Sequence, residues 1–130
     1  MVKVFLDANI LFSAAYREQA GLAKLWQLKR VKLVSSDYAM MEAERNLRDS
    51  DQLQRLKVFT HSLEIITSYN DSLIPTDITL NTKDRPILAA AIAAKANFLL
   101  TGDRDFAHLL GKKIMGVTVL TPSVYFADFQ

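Results

Sequence analysis

Val2 to Leu6 is a short apolar run that stops at Asp7, the pattern of a buried strand. Asn9 to Tyr16 then starts a helix, and Leu22, Leu25 and Trp26 recur at helical spacing between Lys24, Gln27 and Lys29. The spacing predicts a second amphipathic helix from about Gly21 to near Arg30. Val31 to Ser35 alternates like a strand. Ser36 or Asp37 can cap the helix that carries Met40, Ala43 and Leu47 along one stripe. The polar patch Arg48 to Gln52 interrupts it, and Leu53, Leu56 and Phe59 support a further helix to about His61.

Leu63 to Thr67 reads as a third strand, and Tyr69 to Thr82, with Pro75 inside, as a long irregular connection. Asp84 to Ala96 is alanine-rich, with Ile87, Leu88, Ala91 and Ile92 on one face, so the helix can lie close to a sheet; Pro86 is tolerated in its first turn. Phe98 to Leu100 is a fourth strand, followed by a short helix through Leu110. Val117 to Leu120 is a fifth, before a helical turn after Pro122. Strand and helix alternate throughout. The alternation predicts an α/β fold of three α/β/α layers around a central parallel five-stranded sheet with flavodoxin-like order. At 130 residues, without a repeat or linker, 1–130 is expected to form a single domain.

Composition narrows the chemistry. The chain has no cysteine, which removes disulfides, thiolate zinc sites, iron–sulfur clusters and cysteine nucleophiles, and suits a reducing cytoplasm. The apolar run at the start, Val2 to Leu6, is far too short for a signal peptide and no later stretch approaches the length of a membrane span, so a cytoplasmic protein with no membrane association is expected. A net charge of +2 is too small to mark a nucleic-acid binder by itself.

In doubly wound sheets, ligands sit outside the carboxyl ends of the strands, where strand order reverses. Asp7 closes the first strand and Asp103 follows the fourth; as neighbours at the switch point they would lie on strands about 4.8 Å apart. Glu42 and Asp84, on flanking helices, can lean into the same crevice, and Asp105 lies beside Asp103. Clustered carboxylates oppose each other's ionisation, and a divalent cation removes the conflict. Hard oxygen ligands favour Mg²⁺ or Mn²⁺, ions that recruit substrate phosphates and assist phosphodiester hydrolysis.

Each acid also has an ordinary explanation. Asp7, Asp84 and Asp103 can serve helix N-termini, and Glu42 can pair with Arg45 at i, i+3. Arg85 and Arg104 could touch phosphate or simply be solvated, as could Lys83; an exposed Tyr16 or Tyr38 could meet a substrate. His61 and His108 lack metal-site spacing and receive no role. Two rival readings fit poorly. An aspartyl-nucleophile phosphatase would place a second acid two residues after Asp7, where Asn9 stands, and a phospho-receiver needs an acidic pair near its first strand.

Phe5-Leu6-Asp7-Ala8-Asn9-Ile10-Leu11, the segment Ser36 to Leu47, Lys83-Asp84-Arg85-Pro86-Ile87-Leu88-Ala89-Ala90-Ala91 and Asn97 through Thr101-Gly102-Asp103-Arg104-Asp105-Phe106 together resemble the PIN-domain family, including VapC-like toxins. Val119-Leu120-Thr121-Pro122 is similar to its closing strand. The resemblance implies that Asp7, Glu42, Asp84 and Asp103 are catalytic, metal-centred acids, with Glu44 the competitor of Glu42, and that Asp105 is an auxiliary metal ligand. It makes Asn9 and Thr101 groups that orient a carboxylate or water. It implies a Mg²⁺- or Mn²⁺-dependent ribonuclease acting on RNA, and for a toxin a small antitoxin partner and a homodimer. A PIN-like RNA- or protein-binding module without cleavage is the alternative.

Overall fold

The computed structural model describes residues 1–130. β1 (Val2–Leu6) passes through Asp7 alone into α1 (Ala8–Ala15). Val4, Phe5 and Leu6 are fully buried, as expected of a central parallel strand covered by helices on both faces. β2 (Val31–Ser36) leads straight into α2 (Asp37–Asn46), whose N-cap is Ser36: its hydroxyl accepts from Ala39 N–H at 3.1 Å. α3 (Ser50–His61) starts with a capping box between Asp49 and Gln52, so the polar patch read as a helix breaker is the start signal of the next helix. β3 (Glu64–Ile66), α4 (Arg85–Ala93), β4 (Phe98–Leu100), β5 (Lys113–Ile114), β6 (Val117–Leu120) and α5 (Pro122–Phe129) complete the chain.

The fold class is as expected, three α/β/α layers around a mostly parallel sheet, but the sheet has six strands rather than five, in the order β3-β2-β1-β4-β6-β5. The extra strand, β5, pairs antiparallel with β6 across Met115 and Gly116, both at positive φ, the geometry of a two-residue hairpin. Two residues are too few to show a period, which is why the pattern missed it. Chain order along the first five positions is 3-2-1-4 and then β6, whereas flavodoxin-like sheets run 2-1-3-4-5. In the observed order, unlike the flavodoxin-like one, β1 and β4 are parallel neighbours, and Leu6 stands opposite Leu100.

Two predicted helices are 3₁₀ segments. Gly21–Gln27 has no side-chain cap at Ala20, and Leu28 is already extended, so only seven residues remain to coil. Leu25 is buried there, and Trp26 is tied down by donating Nε1–H to Phe59 C=O at 2.9 Å. Arg104–Leu109 is likewise 3₁₀, anchored by buried Phe106 and Leu109. The irregular stretch before α4 holds a 3₁₀ turn, Asp71–Leu73, and is pinned by buried Ile74. α4 buries Ala89, Ala90 and Ala91 completely, as its small side chains predict. No helix is long and apolar enough to cross a membrane.

Candidate active site

The register of β1 against β4 brings Asp7 and Thr101 together immediately beyond the last paired residues. Asp7 N–H donates to Leu100 C=O at 3.1 Å, continuing the ladder by one step and turning the carboxylate into the switch point. There Oδ1 accepts from Ala8 N–H at 2.6 Å and Oδ2 accepts from the Thr101 hydroxyl at 2.7 Å. The same Thr101 oxygen accepts from Asp103 N–H at 3.0 Å. Asn9 closes the arrangement: its Nδ2 donates to Asp7 Oδ2 at 3.4 Å, and its Oδ1 accepts from Gly102 N–H at 3.1 Å. Thus Asn9 and Thr101, expected to orient a carboxylate, each touch Asp7 and the backbone leading to Asp103.

Asp7, Glu42, Asp84 and Asp103 all line one cleft of about 390 Å³, whose walls also carry Tyr38, Phe12 and Ile87. Asp105 is not part of that lining, yet its carboxylate completes a tight group: one oxygen each from Asp84, Asp103 and Asp105 lie within 4.8 Å of one another. Asp7 and Glu42 stand outside this group. Glu42 accepts from Arg45 Nη1 at 3.0 Å, the helix pair that the spacing suggests, while lining the cleft. Glu44, its competitor, is exposed and lines no part of it.

The ordinary explanations hold for some acids and fail for another. Asp7 caps α1, and Asp103 caps the following 3₁₀ turn by accepting from Asp105 N–H at 2.9 Å. Asp84 occupies the N-cap position of α4 but makes no capping hydrogen bond, although it is 4 % exposed. Its oxygens face Lys83 Nζ at 3.1 and 3.3 Å. The arginines expected at phosphate are elsewhere. Arg85 is forked onto Asp71 through Nε and Nη2 at 2.8 and 3.0 Å, and exposed Arg104 makes no ion pair; neither lines the cleft.

Burial dominates the electrostatics. Desolvation pushes the Asp7 carboxyl up from 3.8 to about 6, against the hydrogen bonds from Thr101 and Ala8, and the negative charges of Asp103 and Asp84 add to the rise. Burial also raises Asp84, offset in part by Lys83. Partial desolvation pulls the Lys83 ammonium down, but hydrogen bonds to Asp105, Asp84 and Asp103 outweigh it and hold it above the ordinary lysine value. Asp105 is lowered, chiefly by Lys83 and then by Asn81. The Tyr38 hydroxyl is raised by burial and then by Glu42 and Asp84, and it donates to Lys83 C=O at 2.8 Å.

Lys83 is the residue whose place sequence reasoning did not foresee. Its Nζ reaches Asp84 at 3.1 Å, Asp103 at 3.2 Å and Asp105 at 3.0 Å, so one ammonium bridges all three carboxylates. The signal was a basic residue directly before an acid in the third acidic segment. What it lacked was any hint that the side chain turns back toward residues twenty positions later. The position of Nζ is also a test of metal fit: a compact cation can be surrounded there by hard oxygen donors, the set that suits Mg²⁺ or Mn²⁺.

Comparison with known proteins bears on the family and the fold. Among solved structures, the chain resembles one chain of the crystal structure of VapBC2 from Rickettsia felis bound to a DNA fragment from their promoter. The TM-score is 0.67 and the identity 17 %, over 92 % of this chain and 98 % of that one, a likeness of fold. No curated protein matches the sequence. A family profile described as PIN domain matches residues 3–105, which span β1 through the Asp103–Asp105 segment and every acid of the cleft, and the chain therefore belongs to the PIN-domain family.

Proposed function

We propose that residues 1–130 act as one Mg²⁺- or Mn²⁺-dependent endoribonuclease domain. The observation that carries this reading is the convergence of Asp7, Glu42, Asp84 and Asp103, from four separate segments of the chain, on one cleft. Ribonuclease function is the reading best supported by family membership, and the VapBC2 likeness favours a toxin role with a small antitoxin as partner, within a homodimer.

Asp84, Asp103 and Asp105 are the oxygen ligands that lie close enough to share one cation, and Asp7 faces them from the end of β1. When bound, a divalent cation supplies Lewis acidity, neutralising a phosphate oxygen and lowering the pKa of a bound water. Thr101 holds the Asp7 carboxylate in one orientation and, through the Asp103 N–H, fixes the spacing between the two acids. Asn9 braces the same spacing from the α1 side. Glu42, on the α2 wall of the cleft, would accept a proton from an attacking water. The Asn9 amide is engaged with Asp7 and Gly102, which leaves no acid in the place a phosphatase would need one.

The test is incubation of the purified protein with assorted RNAs in Mg²⁺, Mn²⁺ or EDTA, beside Asp7→Asn and Asp103→Asn. Cleavage should require metal and fall to background in both variants. Undiminished cleavage in EDTA, or in both variants, refutes the mechanism; RNA retention without cleavage in any metal supports a binding module instead.

A further inference from the structure

The three carboxylates nearest a cation site already hold one positive charge, and it belongs to the chain. Lys83 Nζ lies 3.0 to 3.2 Å from Asp84, Asp103 and Asp105. Those oxygens span no more than 4.8 Å. A Mg²⁺ ion sits about 2.1 Å from its ligand oxygens, so an ion sharing this group would lie within a few ångströms of the ammonium. Two cations at that separation repel strongly in a partly dry cleft, and the oxygens cannot serve both at full strength. The lysine also has somewhere to go. Its side chain is 60 % exposed, whereas that of Asp84 is 6 % exposed. The backbone is held by the Tyr38 hydroxyl on Lys83 C=O, so the arm can swing while its root stays in place.

We propose that Lys83 is an internal counter-cation of the acidic cluster, holding Asp84, Asp103 and Asp105 together in the metal-free protein and leaving them when a divalent cation binds. The proposal rests on the metal-site reading above. It has two consequences. Metal affinity is reduced by the fraction of time the lysine occupies the oxygens. The metal-free fold depends on Lys83, and the metal-loaded fold does not.

The test is Mn²⁺ titration by calorimetry for the wild type, Lys83→Gln, Arg104→Gln and Asp84→Asn, with thermal melts in EDTA and in saturating Mn²⁺. Arg104→Gln removes a positive charge next to Asp103 that makes no ion pair, and so measures the general effect of charge. Lys83→Gln should bind Mn²⁺ about fivefold or more tightly than the wild type, as expected if the lysine blocks the site most of the time, and Arg104→Gln should change affinity less than about twofold. Lys83→Gln should melt below the wild type in EDTA, and saturating Mn²⁺ should close that gap. Equal or weaker Mn²⁺ binding by Lys83→Gln, an equal gain in Arg104→Gln, or a melting deficit that persists in Mn²⁺ overturns the proposal. If the wild type binds Mn²⁺ and Asp84→Asn abolishes it while Lys83→Gln changes nothing, only the counter-cation role fails. If neither the wild type nor Lys83→Gln binds Mn²⁺, the metal-site reading falls with it.

Discussion

Replacing Asp7 by asparagine should make the metal-free protein more stable while removing its activity. Asp7 is 4 % exposed, and burial is the main reason its carboxyl is pushed from 3.8 to about 6. Below the lower value the group is neutral whether the chain is folded or not. Between the two, the folded chain keeps a proton that the unfolded chain has released, so stability declines as pH rises through that window. Above about 6 the full cost of holding a buried charge is present. At 1.36 kcal/mol per pH unit, the interval from 3.8 to about 6 corresponds to about 3 kcal/mol. Asparagine does not recover all of it. Its oxygen can keep the Ala8 N–H, and its NH₂ can donate to the Thr101 hydroxyl, but that NH₂ then faces the Asn9 Nδ2 donor. A net gain of about 1 to 2 kcal/mol at pH 7.5, or about 3 to 8 °C in Tm, is the expected result. Circular-dichroism melts in EDTA from pH 4 to 8 measure it: the wild type should lose stability across pH 4 to 6, and the advantage of Asp7→Asn should grow over the same range. A variant less stable than the wild type at pH 7.5, with an unchanged pH profile, would refute the claim that desolvation outweighs the hydrogen bonds at Asp7.

Thr101→Val deletes the hydroxyl that donates to Asp7 and accepts from Asp103 N–H; it should cost about 1 to 3 kcal/mol in urea unfolding and weaken Mn²⁺ binding about 10-fold or more by calorimetry. Glu42→Gln should abolish RNA cleavage and Glu44→Gln should leave it unchanged, because only Glu42 lines the cleft; loss of the Arg45 pair costs about 0.5 kcal/mol at most, so urea midpoints should barely differ. Arg85→Ala should cleave RNA at the wild-type rate in a gel assay, since its guanidinium is spent on Asp71, and a large loss would show that it reaches substrate after all.

What could be read from the sequence was what periodicity and strand ends encode. The buried ends of β1 and β4, Val4 to Leu6 and Leu99 to Leu100, are apolar, and an acid follows each, Asp7 directly and Asp103 after Thr101 and Gly102. Their adjacency was expected at the switch point, but the expected 2-1-3-4-5 order would set β3 between them; it is the observed order, with β2 and β3 on the far side of β1, that makes them neighbours. Elements whose signal is shorter than a period were not readable: β5 is two residues long, and the Gly21–Gln27 segment has helical spacing but neither the cap nor the length to form an α-helix. Side-chain direction was unreadable too. Arg85 and Lys83 flank the same aspartate and looked equivalent, yet one turns to Asp71 on the preceding 3₁₀ turn and the other to Asp103 and Asp105 beyond β4.

The ordinary and the catalytic readings of these acids are not rivals, and the contrast among them explains how the site is held together. Asp7 and Asp103 cap the segments that follow them, so folding alone orients both carboxylates, whether or not a cation is present. The second oxygen of Asp7 accepts from the buried Thr101 hydroxyl, and that of Asp103 accepts from Lys83 Nζ. Asp84 has no capping bond, and its burial is compensated only by a neighbouring cation. It is therefore the acid whose position depends on charge rather than on backbone geometry. Structural support for Asp7 and Asp103 should survive in the metal-free protein, and Asp84 is where gain or loss of a cation is felt first.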